Sequence, residues 1–133
     1  MKRPGAKPLV VVVDDDRDFL EAVRLMLAPA YDVEGFSSGD GLPAGLEGLQ
    51  PDLLLLDIHM PGTDGFRVCS RIRSDPRFKG LPVLFLTSSR TDDDFLKILR
   101  AGGDAYLTKP IGAADLRRRI REALQGSPAH AER

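Results

Sequence analysis

Residues 53–65 read LLLLDIHMPGTDG. The four leucines form a run short enough for a strand that is buried on both faces, although leucine is not a preferred strand residue. Asp57 follows the run directly, and Asp64 stands where its side chain can cap the next helix. A buried strand, an acid, a turn and a helix in this order indicate one unit of a parallel α/β sheet.

The rest of the chain repeats this alternation of short apolar runs and helical patterns. Predicted strands are 9–13, 31–36, 53–56, 82–86 and 105–107. Predicted helices are 16–27, 64–74, one that Thr91 caps and that ends at Gly102 and Gly103, and 113–125. Between the second and third strands, segment 38–49 has leucines at helical spacing, but four glycines and Pro43 weaken a helix. We therefore expect a short or irregular second helix there.

Apolar spacing also predicts which side of the third, fourth and fifth helices faces the core. The inward residues are expected to be Phe66, Cys69 and Ile72 in the third helix, Phe95, Ile98 and Leu99 in the fourth, and Leu116, Ile120, Ala123 and Leu124 in the fifth.

Strands that alternate with helices predict a doubly wound α/β fold, a five-stranded parallel sheet with helices on both faces. Ligands of such sheets bind beyond the carboxyl ends of the strands, where the strand order reverses. Any chemistry should therefore follow Val13, Leu56, Leu86 and Leu107.

Acids, hydroxyl residues and a lysine follow these four strands, and together they suit one kind of chemistry. Crowded carboxylates repel by roughly 4 kcal/mol for a pair about 4 Å apart at an effective dielectric near 20. A divalent cation that prefers oxygen ligands, such as Mg²⁺, relieves that repulsion. A carboxylate can then act as nucleophile toward a phosphoryl group whose oxygens a lysine and a hydroxyl stabilise. The residues are Asp14, Asp15 and Asp16, then Asp57, then Thr87 and Ser88, then Thr108, Lys109 and Pro110.

Each of these signals has an ordinary explanation when it is taken alone. Three aspartates after a strand can be turn and helix-cap chemistry, and Asp16 is best interpreted as a cap outside the site. Lys109 can be a solvated lysine, and Thr87 can be a strand-end hydroxyl. Their coincidence at four strand ends favours a phosphoryl-transfer site.

Four motifs together resemble the receiver domain of bacterial two-component response regulators: VVVDD (11–15), PDLLLLDIHMPGTDG (51–65), LTS (86–88) and DAYLTKP (104–110). The resemblance covers about residues 8–125 and implies the strand order 2-1-3-4-5. We expect residues 1–7 to be an N-terminal extension and 126–133 to be a disordered tail. The chain would be either a stand-alone receiver or a fragment of a longer regulator.

The resemblance implies a role for each residue at the predicted edge. Asp57 would be the phosphoacceptor, and the ion would be Mg²⁺, with Mn²⁺ or Ca²⁺ as substitutes. Asp14, Asp15, Asp57 and the backbone carbonyl of His59 would hold the ion; Thr87, Ser88 and Lys109 would bind the phosphoryl oxygens; Thr87 and Tyr106 would form the switch pair; the Lys109–Pro110 bond would be cis; and His59 and Ser89 would set the phosphoryl lifetime.

The implied partners are a sensor histidine kinase or histidine phosphotransfer protein as donor, and a downstream protein on the face of the fourth helix, fifth strand and fifth helix. Arg117, Arg118, Arg119 and Arg121 form a basic run that is either a solvated face or part of that docking surface. The formal net charge of -1 argues against direct nucleic-acid binding. One cysteine and no apolar run of about 20 residues predict a cytoplasmic protein without a membrane span.

Two other functions use the same residues. One is a Mg²⁺-dependent phosphohydrolase with an aspartyl phosphate, but such enzymes usually carry a second acid where His59 stands. The other is a protein-binding pseudo-receiver, which the intact acids, Thr87 and Lys109 disfavour. We therefore expect a domain that catalyses only its own phosphorylation and dephosphorylation, and no turnover enzyme.

Overall fold

The computed structural model describes the backbone of residues 6–88 and 92–125, and their side chains except those of 92–94. Within this part, five strands alternate with four α-helices and two short 3-10 turns. In chain order they are β1 (Leu9–Val13), α1 (Arg17–Leu27), β2 (Asp32–Phe36), a 3-10 turn (Ala44–Leu46), β3 (Leu53–Asp57), α2 (Gly65–Ser74), a second 3-10 turn (Pro76–Phe78), β4 (Val83–Thr87), α3 (Asp92–Ala101), β5 (Ala105–Thr108) and α4 (Ala113–Leu124).

The strands form one parallel sheet in the order β2-β1-β3-β4-β5. The predicted fold class and the strand order implied by the resemblance are both confirmed. The order reverses between β1 and β3, because the chain leaves β1 toward one edge of the sheet and returns to pair β3 on its other side. No helix in the described ranges is both long and apolar enough to cross a membrane.

Side chains of the central strands divide between two cores, because successive residues of a strand point to opposite faces. Val11, Leu54 and Phe85 lie in the core that α2 and Ile98 of α3 cover. Val10, Leu55 and Leu84 lie in the core that α1 and α4 cover. Both faces are dry, which explains why the strand sequences are continuously apolar and do not alternate.

The predicted second helix is absent as an α-helix. Segment 38–49 makes only the 3-10 turn at Ala44–Leu46. Gly41 and Gly48 take positive φ angles of 86° and 83°, which end any helical run on either side of the turn. Leu42 and Leu46 are nevertheless buried. The leucine spacing therefore predicted the buried side of the segment correctly, while the glycines decided its backbone.

Side-chain caps begin α1 and α2 as the sequence predicts. The Asp16 carboxylate accepts hydrogen bonds from the backbone N–H groups of Asp18 and Phe19. The Asp64 carboxylate accepts one from the N–H of Arg67. The cap predicted at Thr91 lies outside the described residues, as do the predicted tail at 126–133 and most of the N-terminal extension.

Cys69 lies inward on α2, as expected. Its thiol is fully buried and donates to the carbonyl of Ala101 at 3.1 Å. Burial raises the pKa of this thiol to about 11. The side chain therefore acts as a small apolar residue with a polar contact.

One predicted helix face is wrong. Of the three apolar residues expected to face the core in α3, only Ile98 is buried, while Phe95 and Leu99 are 44% and 55% exposed. The helix lies beside β5, the edge strand, where Phe95 contacts Tyr106. Ile98 is the one buried side chain among those described in this helix. Phe95, Leu96 and Leu99 are therefore exposed apolar side chains of this helix.

We predict that Gly65→Ala lowers the free energy of unfolding by about 1 to 3 kcal/mol. A Cβ at this first residue of α2 would lie 2.3 Å from the carbonyl oxygen of Asp57 and 2.9 Å from the Cα of Ile58. Neither backbone atom can rotate away. Urea unfolding monitored by circular dichroism measures the change.

Gly80→Ala is the matched control, because a Cβ there meets nothing within 4 Å. We expect its effect to stay within about 0.5 kcal/mol, as for most surface substitutions. Equal stabilities of the Gly65→Ala variant and the unmodified chain would contradict the prediction.

Candidate functional site

The parallel sheet brings the ends of β1 and β3 together at one edge. Val13 pairs with Leu56, so Asp14 and Asp57 are the next residues along two neighbouring strands. The N–H of Asp14 donates to the carbonyl of Phe36 on β2, which continues the strand pairing by one residue. Asp14 is fully buried and Asp57 is 7% exposed, whereas Asp15 faces solvent.

Three carboxylates meet at this edge. Asp14, Asp15 and Asp57 each offer an oxygen, and the three oxygens lie within 4.8 Å of one another. All three side chains offer hard oxygen ligands, which is the chemistry that Mg²⁺ selects, and Asp15 lies on the solvent side of the cluster. These residues therefore fit a divalent cation, and they include all three acids that the sequence assigned to the metal.

Lys109 supplies the positive charge of the site. Its ammonium lies 2.6 Å from Oδ2 of Asp14 and 3.8 Å from Oδ1 of Asp57. The backbone N–H of Lys109 donates to the carbonyl of Thr87 at 2.8 Å, which fixes the lysine just beyond the paired ends of β4 and β5. The Lys109–Pro110 peptide bond is cis.

Burial is the main cause that raises the pKa of Asp57 to about 6. The neighbouring Asp14 raises this pKa further, and the Lys109 ammonium lowers it without offsetting both effects. Among the residues that the structure describes, one ammonium faces three carboxylates, which leaves the cluster with excess negative charge. The site is therefore electrostatically suited to a cation.

The other predicted site residues differ in how far they are buried. Thr87 ends β4 and is 2% exposed, whereas Ser88 and His59 are exposed. Ser89 lies outside the described residues. Tyr106 is 39% exposed, and its ring contacts Phe95 edge-to-face at 5.5 Å between centroids. Its ring therefore lies on the outer surface of the sheet edge.

The loop between β3 and α2 carries His59 and is held at both ends. The N–H of Gly65 donates to the carbonyl of Ile58 at 2.8 Å. The Asp40 carboxylate accepts hydrogen bonds from the backbone N–H of Thr63 at 3.3 Å and from its hydroxyl at 2.5 Å. These bonds lower the pKa of Asp40. Sequence reasoning missed Asp40, because no local pattern reveals a contact across 23 positions.

Phe19 is the second residue that the sequence did not assign to the site. The Lys109 ammonium lies 4.4 Å from the centroid of its ring. Phe19 packs against the core that α1 and α4 cover. Its position one turn after three aspartates was a signal that went unused.

A family model described as the response regulator receiver domain matches residues 10–121. The transcriptional regulator RpaA of Synechocystis is 38% identical over 119 residues, which cover 89% of this chain and 49% of that protein. The phosphate regulon regulatory protein PhoB of Rhizobium meliloti is 31% identical over 89% of this chain and 52% of its own length. This chain thus spans about half the length of these two curated relatives.

Solved structures agree with this match. A response regulator receiver domain protein from Methanospirillum hungatei superposes with a TM-score of 0.84 at 25% identity, covering 94% of this chain and 99% of that one. The chemotaxis protein CheY4 of Vibrio cholerae superposes with a TM-score of 0.83 at 25% identity, covering 88% and 98%.

We predict that Asp57→Asn stabilises the metal-free protein at neutral pH. A raised pKa means that the folded chain binds a proton at Asp57 more tightly than the unfolded chain does. The ionised carboxylate therefore lowers stability above about pH 6, and this penalty vanishes as the pH falls toward 4. We expect a gain of about 1 to 3 kcal/mol at about pH 7.5 and a much smaller one at about pH 4.5.

Urea unfolding in the presence of EDTA at the two pH values measures the gain. Asp32→Asn, which alters an exposed acid on the edge strand β2, is the matched control and should change little at either pH. A gain that is equal at both pH values would contradict the electrostatic explanation.

Proposed function

This chain belongs to the family of response regulator receiver domains of two-component signalling, and from that premise we propose that Asp57 is its phosphoacceptor. The observation that supports this assignment most directly is the contact geometry of Lys109 with Asp14 and Asp57 at the edge where β1 and β3 end. Asp57 is the one of these two carboxylates with a side chain partly open to solvent, at 10% exposure against 0%.

The transfer is a nucleophilic substitution at phosphorus. A carboxylate oxygen of Asp57 forms the new P–O bond as the P–N bond of a phosphohistidine breaks, and the electron pair leaves with the imidazole nitrogen. With acetyl phosphate the breaking bond is P–O, and acetate leaves. Lys109 and the Thr87 hydroxyl donate to the phosphoryl oxygens as charge develops on them, and Ser88, the next residue after Thr87, is proposed to bind the same oxygens.

Mg²⁺ is the proposed cofactor, with Mn²⁺ or Ca²⁺ as substitutes. Asp15, Asp57 and the backbone carbonyl of His59 would hold it directly, with Asp14 completing the acidic set. When bound, the ion neutralises carboxylate repulsion and phosphoryl charge. His59 at the loop surface, together with Ser89, is proposed to set the phosphoryl lifetime.

The proposed donor is a sensor histidine kinase or a histidine phosphotransfer protein. The proposed output surface consists of α3, β5 and α4, where Phe95, Leu99 and Tyr106 are exposed beside a groove of about 710 Å³. Thr87 and Tyr106 are the proposed switch pair, with the Tyr106 ring on the outer surface in this state. Phosphorylation adds about 1.5 to 2 negative charges. In this proposal the added charge shifts the equilibrium between the inactive and the active arrangement of the switch pair.

The domain is proposed to catalyse only its own phosphorylation and dephosphorylation. Incubation with Mg²⁺ and acetyl phosphate should add one phosphoryl group by intact mass, and Asp57→Asn should abolish the addition. Asp32→Asn, far from the cluster on the edge strand β2, is the control and should be modified normally.

Absence of the added mass in the unmodified chain would favour a pseudo-receiver. Turnover of a generic phosphate ester would favour a phosphohydrolase. Loss of the added mass over time in a His59→Ala variant tests the lifetime role, which an unchanged decay rate would contradict.

We also predict that Mg²⁺ raises the melting temperature in a saturable manner. A ligand that binds only the folded state stabilises it by about 2.7 kcal/mol at a hundredfold excess over its dissociation constant. Asp15→Asn removes one carboxylate from the exposed side of the cluster, so it should weaken the effect.

Thermal unfolding across a Mg²⁺ series measures the shift, with sodium chloride at matched ionic strength as the control. The same shift in the Asp15→Asn variant as in the unmodified chain would contradict the metal assignment.

A further inference from the structure

We propose that Phe19 is the positioning residue for Lys109, holding its ammonium in the pocket through the face of the aromatic ring. This inference rests on the proposed function, because it gives Phe19 a part in the phosphoryl transfer to Asp57.

The geometry is that of a cation–π interaction. The Lys109 ammonium is 4.4 Å from the ring centroid of Phe19, inside the distance of about 6 Å within which such attraction is significant. The lysine side chain is 23% exposed. Partial burial strengthens the attraction, because water screens the ammonium less.

A chain of contacts fixes the ring relative to the acids. The N–H of Asp16 donates to Oδ1 of Asp14 at 2.9 Å, and Oδ1 of Asp16 accepts from the N–H of Phe19 at 3.2 Å. Lys109 then bridges back from the Phe19 ring to Oδ2 of Asp14. Asp16, a helix cap outside the metal set, therefore ties the backbone of Phe19 to Asp14.

The ring matters most when a cation is present. The Lys109 ammonium pairs with the Asp14 carboxylate at 2.6 Å. A divalent cation among the same carboxylates competes for that negative charge and repels the ammonium. The aromatic face is uncharged and lies outside the acidic set, so its attraction for Lys109 persists under both conditions.

Phe19→Leu keeps an apolar side chain, somewhat smaller, and removes the ring. With saturating Mg²⁺ and acetyl phosphate, we expect its phosphorylation rate to fall by about threefold to tenfold. The apparent Mg²⁺ affinity from thermal unfolding should remain close to that of the unmodified chain. Phe19→Tyr keeps an aromatic face and should restore most of the rate.

Phe66→Leu is the matched control. Phe66 is a half-buried phenylalanine on α2 that also has a lysine near its ring, Lys97 at 5.9 Å, but Lys97 lies outside the acidic cluster. Replacing the Phe66 ring removes a comparable apolar contact and leaves the surroundings of Lys109 unchanged. Its phosphorylation rate should match that of the unmodified chain.

A second readout needs neither metal nor phosphodonor. In the metal-free protein with ¹³C-labelled lysine, the ε-methylene protons of Lys109 should be shifted upfield by the ring current of Phe19. That shift should disappear in Phe19→Leu and persist in both Phe19→Tyr and Phe66→Leu. A Lys109→Arg variant assigns the signal among the five lysines of the chain.

The outcomes separate this inference from the proposed function. If the unmodified chain accepts no phosphoryl group, the proposed function fails, while the ring-current shift still reports the contact. If it is phosphorylated and Phe19→Leu reacts at an equal or higher rate, the positioning role is overturned. An absent ring-current shift in the unmodified chain would overturn the contact itself.

Discussion

Parallel pairing of β1 with β3 is the constraint on which the rest of the site depends. It places Asp14 and Asp57 at the ends of adjacent strands, where both side chains are largely removed from water. Like charges so placed must be offset, and the fold does this incompletely with Lys109, which leaves Asp57 with a raised pKa. The site thus retains an unfavourable charge in the absence of a cation, and a ligand that removes this charge gains binding energy from it.

Much of this arrangement was predictable from the sequence, because strand ends in a parallel sheet share one edge whatever their separation along the chain. That rule located Asp14, Asp57, Thr87 and Lys109 together without any knowledge of distances. Segment 38–49 was predictable only in part. Its leucines indicate a buried side, but helix formation depended on whether Gly41 and Gly48 adopt left-handed backbone angles.

Contacts between side chains that are distant in sequence could not be predicted from the sequence. Arg73 on α2 donates to the carbonyl of Gly102 at 2.9 Å and to the Asp104 carboxylate at 2.9 Å, which joins α2 to the segment before β5. The contact of the Phe19 ring with Lys109 and that of the Asp40 carboxylate with Thr63 also join residues that are distant in sequence. Periodicity identifies the face on which a residue lies, whereas its partner depends on how the helices are placed on the sheet. The exposure of Phe95 and Leu99 likewise follows from the position of α3 beside an edge strand.

The thiol of Cys69 has a consequence for how the molecule can be observed. It is the single cysteine of the chain, fully enclosed between α2 and the end of α3, with its thiolate form disfavoured. Thiol reagents can reach it only when this part of the fold opens, because the reactive species is the thiolate and access is closed in the native state. When closing is faster than alkylation, the rate of alkylation therefore follows the population of the open form. The native chain thus carries its own reporter of the free energy that separates α2 from α3.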